Sequence, residues 1–245
     1  AWVHGAAGEA VVQTHALDGD TFILRVSKTV HYEGNFVYLL LGETRGVLFD
    51  SGPCDDREEL VDAVRECLAK RRTAGPYPLL VAHTHSHDDH YAGDDVFARL
   101  EDSVVVGHSV GDVVACFGMA AWPTGTGCLD LGGRRLEVFA TPGHQEAHVM
   151  VYDPRWGFLL SGDVVYRGRL YMRDQAAFAA SIDRAVAFCD AHPVTWVLGC
   201  HIEMGRACEY PTGTTFQPEE PPLELSVDHL RCLQATLKSV GGEPI

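Results

Sequence analysis

Residues 79–90 read Leu-Leu-Val-Ala-His-Thr-His-Ser-His-Asp-Asp-His. The apolar run Leu79–Ala82 has the length and character of a short buried strand. It leads straight into three imidazoles, His85, His87 and His90, and two carboxylates, Asp88 and Asp89. Imidazole nitrogen and carboxylate oxygen are the donors that zinc and related divalent metals take. Alternation places His85 and His87 on the same side of an extended segment. A turn after His87 then aims Asp89 and His90 at a different point, so the spacing suits two neighbouring metal ions better than one. His83 is a competing donor, but a His-x-His-x-Asp-His frame starting at 83 needs Asp at 87, where His87 stands.

Outward from this stretch, the flanks read as strands and helices in two rounds. Phe22–Val26, Asn35–Leu41 and Gly46–Phe49 are apolar runs separated by turn residues, which predicts antiparallel strands. Asp55 with Glu58 three residues later marks a helix start. Leu60, Val64, Cys67 and Leu68 recur at helical spacing, and Gly75-Pro76 marks the end. The second half predicts strands at Val104–Val106, Leu136–Ala140, Val149–Tyr152, Phe158–Leu160 and Val194–Leu198. It predicts helices at Ala177–Cys189 and Val227–Leu237, the latter capped by Ser226. Strands then a helix, twice over, imply two sheets packed face to face with helices outside.

Composition sets outer limits. The 245 residues are 46% hydrophobic, enough for a substantial core, which excludes a disordered chain. The longest apolar stretch, near Phe36–Leu41, is far short of the roughly 20 residues of a bilayer span. Nineteen basic against 34 acidic residues give a net charge of −15, a field that disfavours nucleic acid and anionic membrane as partners. None of the eight cysteines forms a Cys-x-x-Cys pair, so they are read as reduced, mostly buried thiols rather than a zinc ribbon. These features point to a cytoplasmic protein. The start at Ala1 leaves both a trimmed and a processed N-terminus open.

Thr84-His85-Ser86-His87-Asp88-Asp89-His90 resembles the signature of the metallo-β-lactamase-fold superfamily of hydrolases. Four further stretches match that family's motifs in the same order: Phe49-Asp50-Ser51-Gly52, Thr141-Pro142-Gly143-His144, Ser161-Gly162-Asp163 and Gly199-Cys200-His201. Read alone, each of these is equally a turn. Five in sequence, spanning about residues 35–201, are not what turns produce. The resemblance implies an α+β fold, a four-layer αββα sandwich, with residues 1–245 forming one domain that ends in a short extension from about residue 202. It implies that His85, His87 and His144 hold a first metal ion and that Asp89, His90 and His201 hold a second. Asp163 would bridge the two, and Asp50 would orient a ligand. The implied cofactors are two divalent metal ions, zinc first, with iron or manganese as alternatives. Asp89 would also orient the nucleophile.

The implied reaction is metal-assisted hydrolysis of a small-molecule ester, thioester or lactone. Asp163 stands where the true β-lactamases carry Cys or Ser, which lowers that reading and leaves phosphodiester hydrolysis a lesser one. His87 stands where oxygen- and nitric-oxide-reducing diiron relatives carry Glu. Val164-Val165-Tyr166-Arg167-Gly168-Arg169 departs from the corresponding segment of glyoxalase II. Tyr166 lies three residues after Asp163, the spacing of a substrate-contacting phenol in lactone-hydrolysing relatives, where it can donate to a developing oxyanion. A mononuclear iron enzyme of the persulfide dioxygenase type is the alternative. Arg167, Arg169, Arg206 and Tyr210 are read as surface charge or as contacts to an anionic substrate tail. Phe117, Met119 and Trp122 are read as core or as an apolar wall.

Overall fold

A computed structural model describes residues 2, 8–53, 58–72, 75–207 and 209–240. The helix start expected at Asp55, the thiols of Cys54 and Cys208, and Ala1 lie outside them. Strands β1 (Val12–Ala16), β2 (Thr21–Val26), β3 (Phe36–Leu41) and β4 (Gly46–Phe49) form an antiparallel meander. Helix α1 (Glu59–Arg72) then crosses over to β5 (Leu79–Ala82), which pairs parallel with β4. Short helices α2 (Asp88–Tyr91) and α3 (Asp94–Ala98) lead to β6 (Ser103–Val105), parallel to β5. These six strands form one sheet in chain order.

Helix α4 (Val110–Phe117) leads into the second sheet. There β7 (Thr126–Asp130), β8 (Arg135–Ala140), β9 (Val149–Asp153) and β10 (Phe158–Gly162) make another antiparallel meander. Helix α5 (Gln175–Ala191) crosses over to β11 (Trp196–Gly199), parallel to β10. Strand β12 (Glu224–Leu225) adds antiparallel to β11, and α6 (Val227–Ser239) packs on α5. The segment beyond residue 202 thus both completes the sheet and covers its helical layer.

Three apolar clusters fill the spaces between layers. Phe36, Tyr38, Phe49, Val138, Val149, Val151 and Leu198 belong to the cluster between the two sheets. Leu60, Val64 and Leu68 of α1, with Val96 and Phe97 of α3, cover the outer face of the first sheet. Phe178, Ile182 and Val186 of α5, with Leu230 of α6, cover that of the second. Each fully buried aliphatic or phenyl side chain contributes about 1.5–3 kcal/mol. Both faces of β3, β4, β9 and β10 are buried, which is why these strands read as continuous apolar runs rather than alternating ones.

Several hydrogen bonds lock one sheet to the other, three of them near the motif-bearing edge. Phe36 N–H donates to the Cys200 carbonyl at 2.8 Å, and Val149 N–H to the Thr84 carbonyl at 2.8 Å. The Tyr38 hydroxyl donates to the Gly199 carbonyl at 2.5 Å. Phe117 and Met119 are buried in the inter-sheet core, with Trp122 packed against it, so they are core residues. The six described cysteines are free. Cys189 and Cys200 are buried, Cys232 is exposed and the other three are intermediate, so burial of the thiols is less general than the composition suggested.

Candidate metal centre

The five motif stretches all lie at one edge of the sandwich. Asp50 follows β4, His85–His90 follow β5, His144 follows β8, Asp163 follows β10 and His201 follows β11. The carrier strands of each sheet run in the same direction, so their C-terminal ends converge, as at binding edges of open α/β sheets.

Two donor triads result. In the first, His87 Nδ1 lies 3.0 Å from His85 Nε2 and 3.0 Å from His144 Nε2. In the second, His90 Nε2 lies 3.1 Å from Asp89 Oδ2 and 3.3 Å from His201 Nε2, which is 3.4 Å from Asp89 Oδ2. Asp163 stands between them. Its Oδ2 is 3.8 Å from His85 Nε2, 3.7 Å from His144 Nε2 and 3.6 Å from His90 Nε2, and its Oδ1 is 3.2 Å from His201 Nε2. All seven expected donors are therefore brought to one place, and Asp50 sits behind them.

These spacings test whether a metal fits. Donors about 2.0–2.1 Å from a tetrahedral zinc are about 3.3 Å from one another, close to the separations within each triad. Asp163 Oδ1 is buried and close to His201 Nε2 yet lacks hydrogen-bond geometry, as expected of atoms aimed at a common point rather than at each other. Electrostatics agree. Burial and the charge of His90 hold His85 neutral, and burial holds His87 at about 4 and lowers His144, so this triad presents lone pairs. In the second triad burial opposes charge on His90, but Asp89, Asp50 and Asp163 outweigh it and raise that imidazole well above its usual range. Burial likewise opposes charge on His201, and Asp163 and Asp89 raise it to about 10. That surplus of carboxylate calls for positive charge, which a divalent cation supplies more fully than protons do.

The far side of the donors is anchored. Asp50 has φ 71°, a left-handed conformation that costs a non-glycine residue energy and clusters at functional sites. Its Oδ1 accepts from Thr84 N–H at 2.7 Å, and its Oδ2 is 2.9 Å from His90 Nδ1. His144 Nδ1 meets the Tyr171 carbonyl at 2.9 Å, and Asn35 Nδ2 donates to Asp89 Oδ2 at 2.8 Å. Such outer contacts fix ring orientation and donor basicity. His148, which the sequence did not single out, is fully buried beside the first triad and accepts the Asp163 N–H through Nε2 at 3.2 Å.

A cavity of about 300 Å³ opens over the donors, lined by Glu33, Tyr166, Tyr171, Met172, Arg173 and Glu203 among others. Of the residues proposed for substrate contact, Tyr166 reaches this wall. Its hydroxyl donates to the Arg169 carbonyl and lies 3.1 Å from Glu203 Oε2, so its one proton is already engaged. Arg169 is tied to Glu209 at 2.7 Å, and Arg167 to the Glu224 carbonyl at 2.9 Å, and neither they nor Arg206 and Tyr210 line the cavity. Arg173, Glu33 and Glu203 had no motif to mark them. Burial and the neighbouring Asp89 raise the Glu33 carboxyl to about 7.

Residues 33–201 match the family model described as the metallo-beta-lactamase superfamily. The chain belongs to that superfamily. Among curated relatives, a hydroxyacylglutathione hydrolase of Dechloromonas aromatica (strain RCB) is 28% identical over 169 residues, covering 67% of this chain and 58% of the relative. The acyl-coenzyme A thioesterase MBLAC2 of Gallus gallus is 26% identical over 202 residues, covering 69% of this chain and 72% of the relative. The match spans less than two thirds of the first hydroxyacylglutathione hydrolases' own length. Among solved structures, a metallo-beta-lactamase from Erythrobacter litoralis superposes with a TM-score of 0.65 at 16% identity, covering 94% of this chain and 98% of the other. One from Pontibacter korlensis gives 0.62 at 18% identity, covering 93% and 99%. These likenesses establish the fold. No helix among the described residues is long and apolar enough to cross a membrane.

Proposed function

We propose that this chain is a two-metal hydrolase that cleaves a small thioester, ester or lactone. The observation that carries the reading is the placement of Asp163 Oδ2, within 3.6–3.8 Å of nitrogens from both triads. A carboxylate so placed is within reach of an ion held by either triad, and so can join two. His85, His87 and His144 would hold one ion, Asp89, His90 and His201 the other, with Asp163 common to both. Zinc suits this imidazole and carboxylate set, with iron or manganese as alternatives. When bound, such a pair supplies Lewis acidity and lowers the pKa of a shared water toward neutrality.

The chain's own residues do the rest. Asn35 holds the Asp89 carboxylate by its Oδ2, and that carboxylate is the group that would orient a water molecule. Tyr166 shapes the cavity wall through the Arg169 carbonyl. Water adds its oxygen to the acyl carbon, the bond from that carbon to sulfur or oxygen breaks, and the leaving thiol or alcohol takes up a proton. Thioesters come first because both kinds of curated relative are named for thioester hydrolysis.

Metal quantitation on the native chain, run beside a panel of thioesters, lactones, phosphodiesters and β-lactams, tests the reading. About two zinc ions at this centre and thioester turnover support it. A single iron with oxygen uptake would establish the dioxygenase alternative instead. Asp163→Asn is expected to lower both metal count and rate.

A further inference from the structure

We propose that His83, Asp94 and His108 form a separate divalent-cation site that clamps both ends of the segment carrying the catalytic donors. His83 directly follows β5, Asp94 opens α3, and His108 lies in the turn after β6. One donor atom from each lies within 4.8 Å of the others. The Asp94 carboxylate is divided between the rings, with Oδ1 2.8 Å from His83 Nε2 and Oδ2 2.6 Å from His108 Nε2. None of the seven donors of the main centre takes part.

The cluster is held before any ion arrives. Ser51 Oγ donates to Asp94 Oδ1 at 2.7 Å, fixing the carboxylate. The Tyr91 ring stacks on His108 with centroids 4.2 Å apart, and the Tyr91 hydroxyl donates to Asp88 at 2.6 Å. Preorganised donors of this kind lose little freedom on binding. Two imidazoles and one carboxylate match the donor set of three-ligand zinc sites, in which water fills the fourth position. His83 is buried, whereas the His108 side chain is 31% exposed, so a fourth ligand and the ion itself have a way in. Asp94 brings a carboxylate to the cluster, in a chain whose net charge of −15 draws cations.

The position gives the site a purpose. Residues 83 and 94 bracket His85–His90, four of the main donors, and Ser51 N–H also donates to the His90 carbonyl at 2.8 Å. An ion here would pin the end of β5, the start of α3 and the turn after β6 to one point. The segment between could not then slide against the second sheet.

The test strips the full chain with chelator, reloads it with zinc alone, desalts it and counts zinc per chain by mass spectrometry. His108→Ala is expected to hold one equivalent fewer than the unaltered chain, with an unchanged far-ultraviolet circular dichroism spectrum. The difference is the readout, so it holds whether the main centre takes one ion or two, and failure of the two-metal reading leaves it intact. His144→Ala, at the main centre, is expected to keep the peripheral equivalent. Asp94→Asn, which preserves side-chain shape, repeats the count should His108→Ala fail to fold. Equal zinc counts in the unaltered chain and the folded variant would overturn the proposal and leave the three residues a hydrogen-bonded clasp.

Discussion

The His148 ring accepts the backbone N–H of Asp163, and its other nitrogen lies 2.7 Å from Thr141 Oγ1. Burial and the neighbouring His144 keep His148 neutral, so it can accept at Nε2 while the proton sits on Nδ1. The ring therefore links the turn before His144 to the turn carrying the shared carboxylate. His148→Phe keeps the volume and removes both bonds. Metal affinity is expected to fall about 10–100-fold, the usual cost of losing an outer contact, with the fold retained. Competition against a chromophoric chelator measures this. Unchanged affinity would reduce His148 to filler.

Asp50→Asn replaces a carboxylate that meets His90, Thr84 and the Cys200 thiol by an amide. One amide orientation sets N–H against the His90 ring, and the other against Thr84 N–H. The second triad is expected to lose about 10–100-fold in metal affinity while the first keeps its ion. Stoichiometry measured across a metal titration separates the two steps.

His85→Ala removes a buried donor of the first triad that is also close to Asp163. Metal content and thioester turnover are expected to fall together, and full turnover in a folded variant would remove the proposed centre.

Tyr166→Phe distinguishes two roles for one phenol. Loss of an oxyanion donor costs about 10²–10³ in kcat. Because this hydroxyl already donates to the Arg169 carbonyl, the expected effect is below about tenfold and lies mainly in KM, through a loosened wall. A loss of about 10² in kcat on a lactone would restore the oxyanion role.

Lys28 supplies a pH test at a residue outside the two donor triads. It is buried against Arg25 and Glu220, and burial first, then the Arg25 charge, brings its ammonium down to about 8. Between pH 8 and its ordinary 10.5 the unfolded chain binds the extra proton, so the stability contribution of this group rises with pH across that window. The cost is fully present below pH 8. Urea melts at pH 7.5 and 10 are expected to show the unaltered chain gaining about 2–3 kcal/mol relative to Lys28→Met. A gap that does not change with pH would show that the ammonium is not penalised in the fold.

The sequence disclosed those parts whose signal is local. Gly46–Phe49 and Leu79–Ala82 stand out because those strands are buried at every position but the half-buried Leu80, and the donors at 85–90 because they are contiguous. Strand β1, Val-Gln-Thr-His-Ala, is half exposed and shows no apolar alternation, so only its pairing with β2 reveals it. Helix α4 contains Gly111 and three valines, poor helix formers. It is secured instead by a capping box between Ser109 and Asp112 and by Gly118 in the left-handed conformation at its end. Glu33 and Arg173 reach the cavity from separate chain segments, which no spacing rule encodes, and His148, four residues after His144, belongs to no motif of its own.

Each donor triad takes two residues from the first half of the chain and one from the second: His85 and His87 with His144, Asp89 and His90 with His201. Neither sheet on its own owns a complete coordination sphere. A small slip at the inter-sheet seam, where Tyr38 meets the Gly199 carbonyl, would forfeit both triads at once. For the proposed ion pair, occupancy would gauge how the two halves are seated, and a lesion deep in the seam would empty the centre without touching any of the seven proposed ligands.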